Sequence, residues 1–190
     1  MGEYKSIWLI EMAADKVAQN EKDLVWFVPR SHPDPLCRVV LVEPLIPENT
    51  GNVSRTCVGT GAELHLVEPM GFELTASRVQ RAGLDYWKDL AWCQHRSYAE
   101  WRKTVVAKSR RVFLIETGAT KTIYDVEFQR GDWIVFGKET SGLDQAILTA
   151  DDAPTILSIP MPGTTRSLNL SNAVAIVVFE ILRQTRQPLA

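Results

Sequence analysis

The sequence predicts an α/β fold with a mostly parallel sheet flanked by helices. Five short runs carry that prediction: Arg38–Glu43 (RVVLVE), Glu63–Glu68 (ELHLVE), Arg111–Glu116 (RVFLIE), Asp132–Gly137 (DWIVFG) and Thr155–Pro160 (TILSIP). Each is apolar and rich in β-branched residues without alternation, as strands covered on both faces are. Helical patterns fall between several of them, the order expected of a parallel sheet with crossover helices.

In chain order, residues 1–36 read as an N-terminal extension to a domain spanning 37–190. Ile7–Val28 mixes apolar and charged residues with weak helical periodicity, and Arg30-Ser-His-Pro-Asp-Pro35 is a turn-rich linker. Within the domain, Thr50–Thr60 places Val53, Cys57 and Val58 on one side of a helix. Tyr98–Lys108 and Leu143–Leu148 are further helical patterns. Ser171–Arg183 is apolar nearly all round, through Ala173, Val174, Ile176, Val177, Val178, Ile181 and Leu182. A helix of that kind is expected to be buried, in the fold or between subunits.

The chain's 190 residues suffice for one domain with a core. A 45% hydrophobic and 23% charged composition is that of a soluble protein, with no apolar run long enough to span a bilayer. Glu3, Glu11 and Asp15 interrupt the apolar N-terminal residues, so no secretory signal is expected there. Cys37, Cys57 and Cys93 form no CxxC pair and read as reduced thiols of a cytoplasmic protein. His32, His65 and His95 are too scattered to suggest a zinc site, so no metal is expected.

The net charge of −2 hides an asymmetry. Between Arg78 and Arg111 nine bases face three acids, so the remainder of the chain carries −8. Tyr86, Trp87, Trp92, Tyr98 and Trp101 are interleaved with those bases. The pattern suits a polyanion such as RNA; the alternative is a solvated helix face with aromatics in the core.

Three loops carry candidate chemistry. In Glu43-Pro-Leu-Ile-Pro-Glu-Asn-Thr-Gly-Asn-Val-Ser-Arg55, Asn49 or Thr50 can cap a helix. Asn52 and Arg55 then share a helical face, where an Arg beside amides is placed for a phosphate or oxyanion. Phe136-Gly-Lys-Glu-Thr-Ser-Gly-Leu143 follows an apolar strand, and its glycines admit close backbone approach. It is neither a phosphate-binding P-loop nor a dinucleotide fingerprint. In Ser158-Ile-Pro-Met-Pro-Gly-Thr-Thr-Arg-Ser-Leu-Asn-Leu-Ser-Asn172, Ser167 and Asn169 alternate with Leu168 and Leu170, sending polar groups one way if extended. A rigid, donor-rich loop after a strand is where open α/β sheets bind ligands. Taken singly, the first two loops are equally compatible with an ordinary capped helix and a plain turn.

Together, and in this order and spacing, the loops resemble the three motifs of SPOUT-class RNA 2′-O-ribose methyltransferases. Glu68-Pro-Met-Gly-Phe72 and Arg81-Ala-Gly-Leu-Asp-Tyr-Trp87 narrow the likeness to the branch that methylates the wobble cytidine or uridine, position 34, of tRNA. The resemblance runs from about Arg38 to Gln184. It implies a C-terminal deep trefoil knot, a homodimer, tRNA as substrate and S-adenosylmethionine as methyl donor, with S-adenosylhomocysteine as product. Ile115, Gly137, Ile159, Ser167 and Leu168 would line the cofactor pocket. Glu139 would either meet the sulfonium charge or fix its loop, with the loop role favoured.

The family gives proton abstraction to the Arg that matches Arg55, supplied across the dimer to the other subunit's pocket. A guanidinium, with pKa above about 12, is a poor base. Binding the adjacent phosphate and stabilising the developing alkoxide is the more conservative role. Ser167 and Asn169 would orient the ribose or Arg55, while Asn49, Asn52 and Arg166 would contact substrate. The same resemblance leaves room for a relative acting on rRNA or another tRNA position, and for a non-catalytic knotted RNA-binding protein.

Overall fold

The computed structural model describes residues 31–75, 85–106, 110–150 and 152–185. Residues 1–30 of the extension, with the Ile7–Val28 pattern and Arg30 of the linker, the motif residues Arg81–Leu84 and the bases Arg78, Arg81 and Lys108 lie outside that set. The element order is β1 (Arg38–Val42), α1 (Pro47–Thr60), β2 (Glu63–Val67), a 3₁₀ turn (Asp85–Asp89), β3 (Trp92–His95) and α2 (Tyr98–Val106). It continues with β4 (Val112–Ile115), β5 (Trp133–Phe136), α3 (Gln145–Leu148), β6 (Thr155–Leu157) and α4 (Leu170–Thr185).

All six strands are parallel, in the order β3-β2-β1-β5-β4-β6. The five strand-like runs are present, each one to three residues shorter than its apolar run. The sixth strand, Trp92–His95, has no counterpart in the sequence reading, because Trp-Cys-Gln-His contains no β-branched residue and two polar ones.

Parallel pairing buries both faces of the sheet, so successive residues of one strand serve two cores. Val39 and Leu41 of β1 join Leu64, Leu66, Ile134 and Phe136 in the larger core, closed by Val53 and Cys57 of α1 and by Val174, Val177, Val178 and Ile181 of α4. Val40 and Val42 face the other way, toward Trp133, Val135 and the α2 residues Trp101 and Val105. Helices α1 and α4 therefore lie together on one face, with α2 on the other.

Two expectations change. Helix α1 begins at Pro47, where a proline's missing N–H costs nothing. Asn49 and Thr50 are buried in its first turn and do not cap it; the N-cap is Ile46, without a side-chain cap bond. Trp87, Trp92 and Trp101 are at most 1% exposed, so these three serve the core and cannot stack on RNA. Arg102 pairs with Asp152 and Arg111 with Asp132.

Helix α4 is buried on one face only. Ile176 and Phe179 remain 37% and 56% exposed.

Candidate active site

The strand order leaves its switch point between β1 and β5, the place where open α/β sheets bind ligands, and the loops leaving their carboxyl ends meet there. Two neighbouring residues of the loop after β5 tie these loops together. Lys138 Nζ lies 2.7 Å from Glu43 Oε2. Glu139 accepts hydrogen bonds from the Leu45 N–H at 2.8 Å, the Ile46 N–H at 3.1 Å and Asn49 Nδ2 at 3.0 Å. An anionic acceptor at this helix start does the work of the missing cap and suits the helix dipole. Burial pushes the Glu139 carboxyl up, but the bonds from Asn49, Leu45 and Ile46 outweigh it and hold the group below the usual range.

The loop's glycines answer to its own geometry. Lys138 and Gly142 exchange backbone hydrogen bonds of 3.1 and 2.9 Å. A Cβ on Gly137 would come within 2.1 Å of the Gly142 carbonyl carbon. Gly142 has φ +70° and lies against the Glu116 carboxylate, which accepts the Leu143 N–H at 2.9 Å. The Glu68–Phe72 motif packs similarly: Gly71 donates to the Pro44 carbonyl at 2.9 Å, and a Cβ there would strike the Leu45 backbone at 2.8 Å.

The third loop joins the same network. Asn169 Nδ2 donates to Asn49 Oδ1 at 2.9 Å. Its own Oδ1 accepts from the Ser171 N–H at 2.9 Å, which makes Asn169 the cap of α4. Because Asn49 gives its amide to Glu139, its oxygen must face Asn169, and so the relay has one direction. Three loops are thus held within a single chain by Glu139, Asn49 and Asn169.

Arg55 stands apart from that relay. It is exposed on α1 beside exposed Asn52, with its Cζ 4.9 Å from the centroid of the Tyr86 ring. Among the described residues no contact joins Arg55 to Ser167 or Asn169 within one chain. Ser167 and Arg166 are exposed; Ile159 and Leu168 are half-buried; Ile115 is 8% exposed at the end of β4. Among the described residues nothing hydrogen-bonds to the backbone of residues 159–168. Free N–H and C=O groups between half-buried apolar side chains fit a flat ligand bound through neutral contacts.

Sequence reasoning missed Tyr86, Glu116 and the Lys138–Glu43 tie. It also missed a cluster on the opposite face of the sheet. His65 and His95, expected to be scattered, meet with Nδ1 and Nε2 2.9 Å apart. The register that aligns His65 with Cys93 and Val67 with His95 brings them together. Together with Cys93 they offer three ligand-type atoms within 4.8 Å of one another. Their rings lie within 19° of parallel and the two nitrogens face each other, the arrangement of one shared hydrogen bond. Burial and the neighbouring His65 push His95 down to about 3, and burial pushes the Cys93 thiol up to about 11.

The residue pattern of the SpoU rRNA Methylase family matches residues 37–179. The chain belongs to the SpoU methylase family.

Within that family the chain is 47% identical over 149 residues to the tRNA (cytidine(34)-2′-O)-methyltransferase of Burkholderia pseudomallei (strain 1106a), covering 77% of this chain and 94% of the relative. It is 43% identical over 153 residues to the enzyme of that name from Escherichia coli (strain K12), covering 80% and 96%. A solved structure described as giving structural insights into the 2-OH methylation of C/U34 on tRNA superposes with a TM-score of 0.72 at 39% identity, covering 78% of this chain and 95% of that one.

Proposed function

We propose that this SpoU-family chain transfers a methyl group from S-adenosylmethionine to the ribose 2′-hydroxyl of nucleotide 34 of tRNA, a cytidine or uridine. The observation that carries the reading is a likeness of 43–47% identity, over 94–96% of the relatives' length and 77–80% of this chain, to enzymes named for that reaction. The three-loop relay through Glu139, Asn49 and Asn169 lies inside the matched span.

The donor supplies an already activated methyl on a sulfonium. The chain's tasks are to align the acceptor oxygen and to accommodate its proton and developing charge. The loop 159–168, with Ile115, Gly137, Ser167 and Leu168, would hold the cofactor through backbone groups and apolar walls. Glu139 serves the loops: three donors occupy its carboxylate. Arg55 would bind the phosphate beside the target ribose and stabilise the alkoxide, with Asn52 and Arg166 as further substrate contacts and Ser167 orienting the ribose.

The separation of Arg55 from Ser167 in one chain, and the exposed Ile176 and Phe179 on α4, support a homodimer in which Arg55 serves the partner's pocket. We also infer the family's knot in the C-terminal half, 1–36 as an extension to a catalytic domain at 37–190, and a cytoplasmic location. No helix of the described residues is long and apolar enough to cross a membrane.

Incubation with labelled S-adenosylmethionine and total RNA from a strain lacking the enzyme, followed by mapping of the modified nucleotide, tests the reading. Methyl transfer at nucleotide 34 of tRNA is expected. Transfer only to rRNA would sink the assignment of substrate, and cofactor binding without any transfer would sink the enzyme.

A further inference from the structure

We propose that Tyr86 is a positioning residue for Arg55, holding the guanidinium flat so that all its in-plane donors stay available to the substrate. This rests on the role given above to Arg55.

Two independent contacts reach the same turn of α1. The Tyr86 ring lies under Arg55 with Cζ 4.9 Å from its centroid. The Tyr86 hydroxyl donates to the Gly51 carbonyl at 2.9 Å. Gly51 is four residues before Arg55, so its carbonyl is the acceptor of the helical bond from the Arg55 N–H. One side chain therefore reaches both the guanidinium of Arg55 and the backbone turn that launches it, a turn whose Gly51 carbonyl also accepts from Ser54 Oγ at 2.7 Å.

The platform is itself anchored. Tyr86 belongs to the 3₁₀ turn Asp85–Asp89, whose next residue, Trp87, is 1% exposed and packs against Trp92 with ring centroids 5.8 Å apart. Leu90, just beyond the turn, is equally buried. The turn is nailed to the larger core on one side and presents Tyr86 to α1 on the other.

The contact suits an arginine that must act on an anion. Among the described residues no carboxylate pairs with Arg55, so none competes for its N–H groups. An aromatic face engages the guanidinium through its π surface and leaves its five N–H donors pointing outward in plane. A carboxylate at the same place would immobilise Arg55 just as well but would occupy the fork needed for phosphate or alkoxide. A phenylalanine would keep the stack and lose the grip on Gly51.

The test uses the full-length protein with tRNA and S-adenosylmethionine. Tyr86→Leu, which removes both contacts, should lower kcat about ten-fold or more while leaving cofactor affinity and Tm near wild type. Tyr86→Phe should cost less than about five-fold. In an Arg55→Lys background the Tyr86→Leu change should cost less than in wild type, since its effect runs through the guanidinium. A wild-type kcat for Tyr86→Leu, or the same cost in both backgrounds, would overturn the proposal.

A second readout does not depend on activity. The Arg55 side-chain Nε–H resonance should carry an upfield ring-current shift that survives Tyr86→Phe and vanishes in Tyr86→Leu. Its absence in the wild-type protein would refute the stack. If the shift is present but the wild-type enzyme methylates no tRNA, the assigned reaction fails while the geometry of Arg55 stands.

Discussion

The two faces of the sheet both hold polar side chains, and they hold them differently. On the face covered by α1 and α4, the polar groups of Glu139, Asn49 and Asn169 gather at the carboxyl ends of the strands, where loops meet solvent. On the face covered by α2, His65, His95 and Glu63 sit within the strands themselves, each at most 7% exposed. The first group is ionised or strongly dipolar and reaches between loops. The second is a ladder inside one sheet, running from Arg38 to Glu63 at 3.3 Å and from His65 to His95 at 2.9 Å. Polarity alone therefore does not mark a site; polarity between loops at the strand ends does.

The sharpest way to break this contrast is to exchange rate effects for stability effects. Arg55→Ala should lower kcat by about 10²–10³-fold or more, the cost of removing a donor to a developing oxyanion, with the unfolding midpoint unchanged. A rate within a few-fold of wild type, in a single-turnover methylation assay, would remove Arg55 from the chemistry. Glu139→Gln comes next. One of its oxygens becomes an NH₂ that must face a backbone N–H or the Asn49 amide, so the loops after β1 and β5 shift. About a hundred-fold loss in kcat/KM is expected for such a displacement, together with a lower Tm. An unchanged KM and kcat would mean that the clasp has no bearing on the reaction.

The opposite face should respond to pH through stability. His95 sits near 3 in the fold against an ordinary value of 6.5, so between those values the unfolded chain binds the extra proton. Stability attributable to His95 is full above about pH 6.5 and is lost as the pH falls. Between pH 7 and 5 the loss is about 2 kcal/mol. The difference between wild type and His95→Gln in urea midpoints at the two pH values isolates it, because shared carboxylate effects cancel. Equal pH slopes would place His95 in water. The smallest effect belongs to Arg102→Ala: its partner Asp152 has a side chain 75% exposed, and such pairs contribute about 0–1 kcal/mol.

The same contrast explains what could be read from the residues alone. Doubly buried strands such as Trp133–Phe136 announce themselves, because a parallel sheet needs apolar side chains on both faces. Trp92–His95 does not, since an edge strand tolerates Gln94 and His95. The three loops were legible from their Pro, Gly and Asn content. The acceptor that starts α1 was not, because Glu139 comes from 90 residues away, and the nearby Asn49 and Thr50 looked like better caps. Tyr86 was equally hidden: an aromatic among bases reads as core or as RNA platform, and only its 4.9 Å stack on Arg55 separates it from its buried neighbour Trp87. The His65–His95 meeting depends on strand register, which spacing of 30 residues does not encode.

The strand order also bears on synthesis. β1 sits in the middle of the sheet, but its neighbour β5 begins at Trp133, roughly ninety residues after Val42. At a ribosomal pace of about 5–20 residues per second, one edge of this buried central strand waits roughly 5–20 s for its partner. During that interval Val39, Val40 and Leu41 form an open strand edge of the kind that pairs with other nascent chains. The half-sheet made first keeps that edge open until its second half emerges, and α4, the last of the described helices along the chain, is what closes the larger core over it.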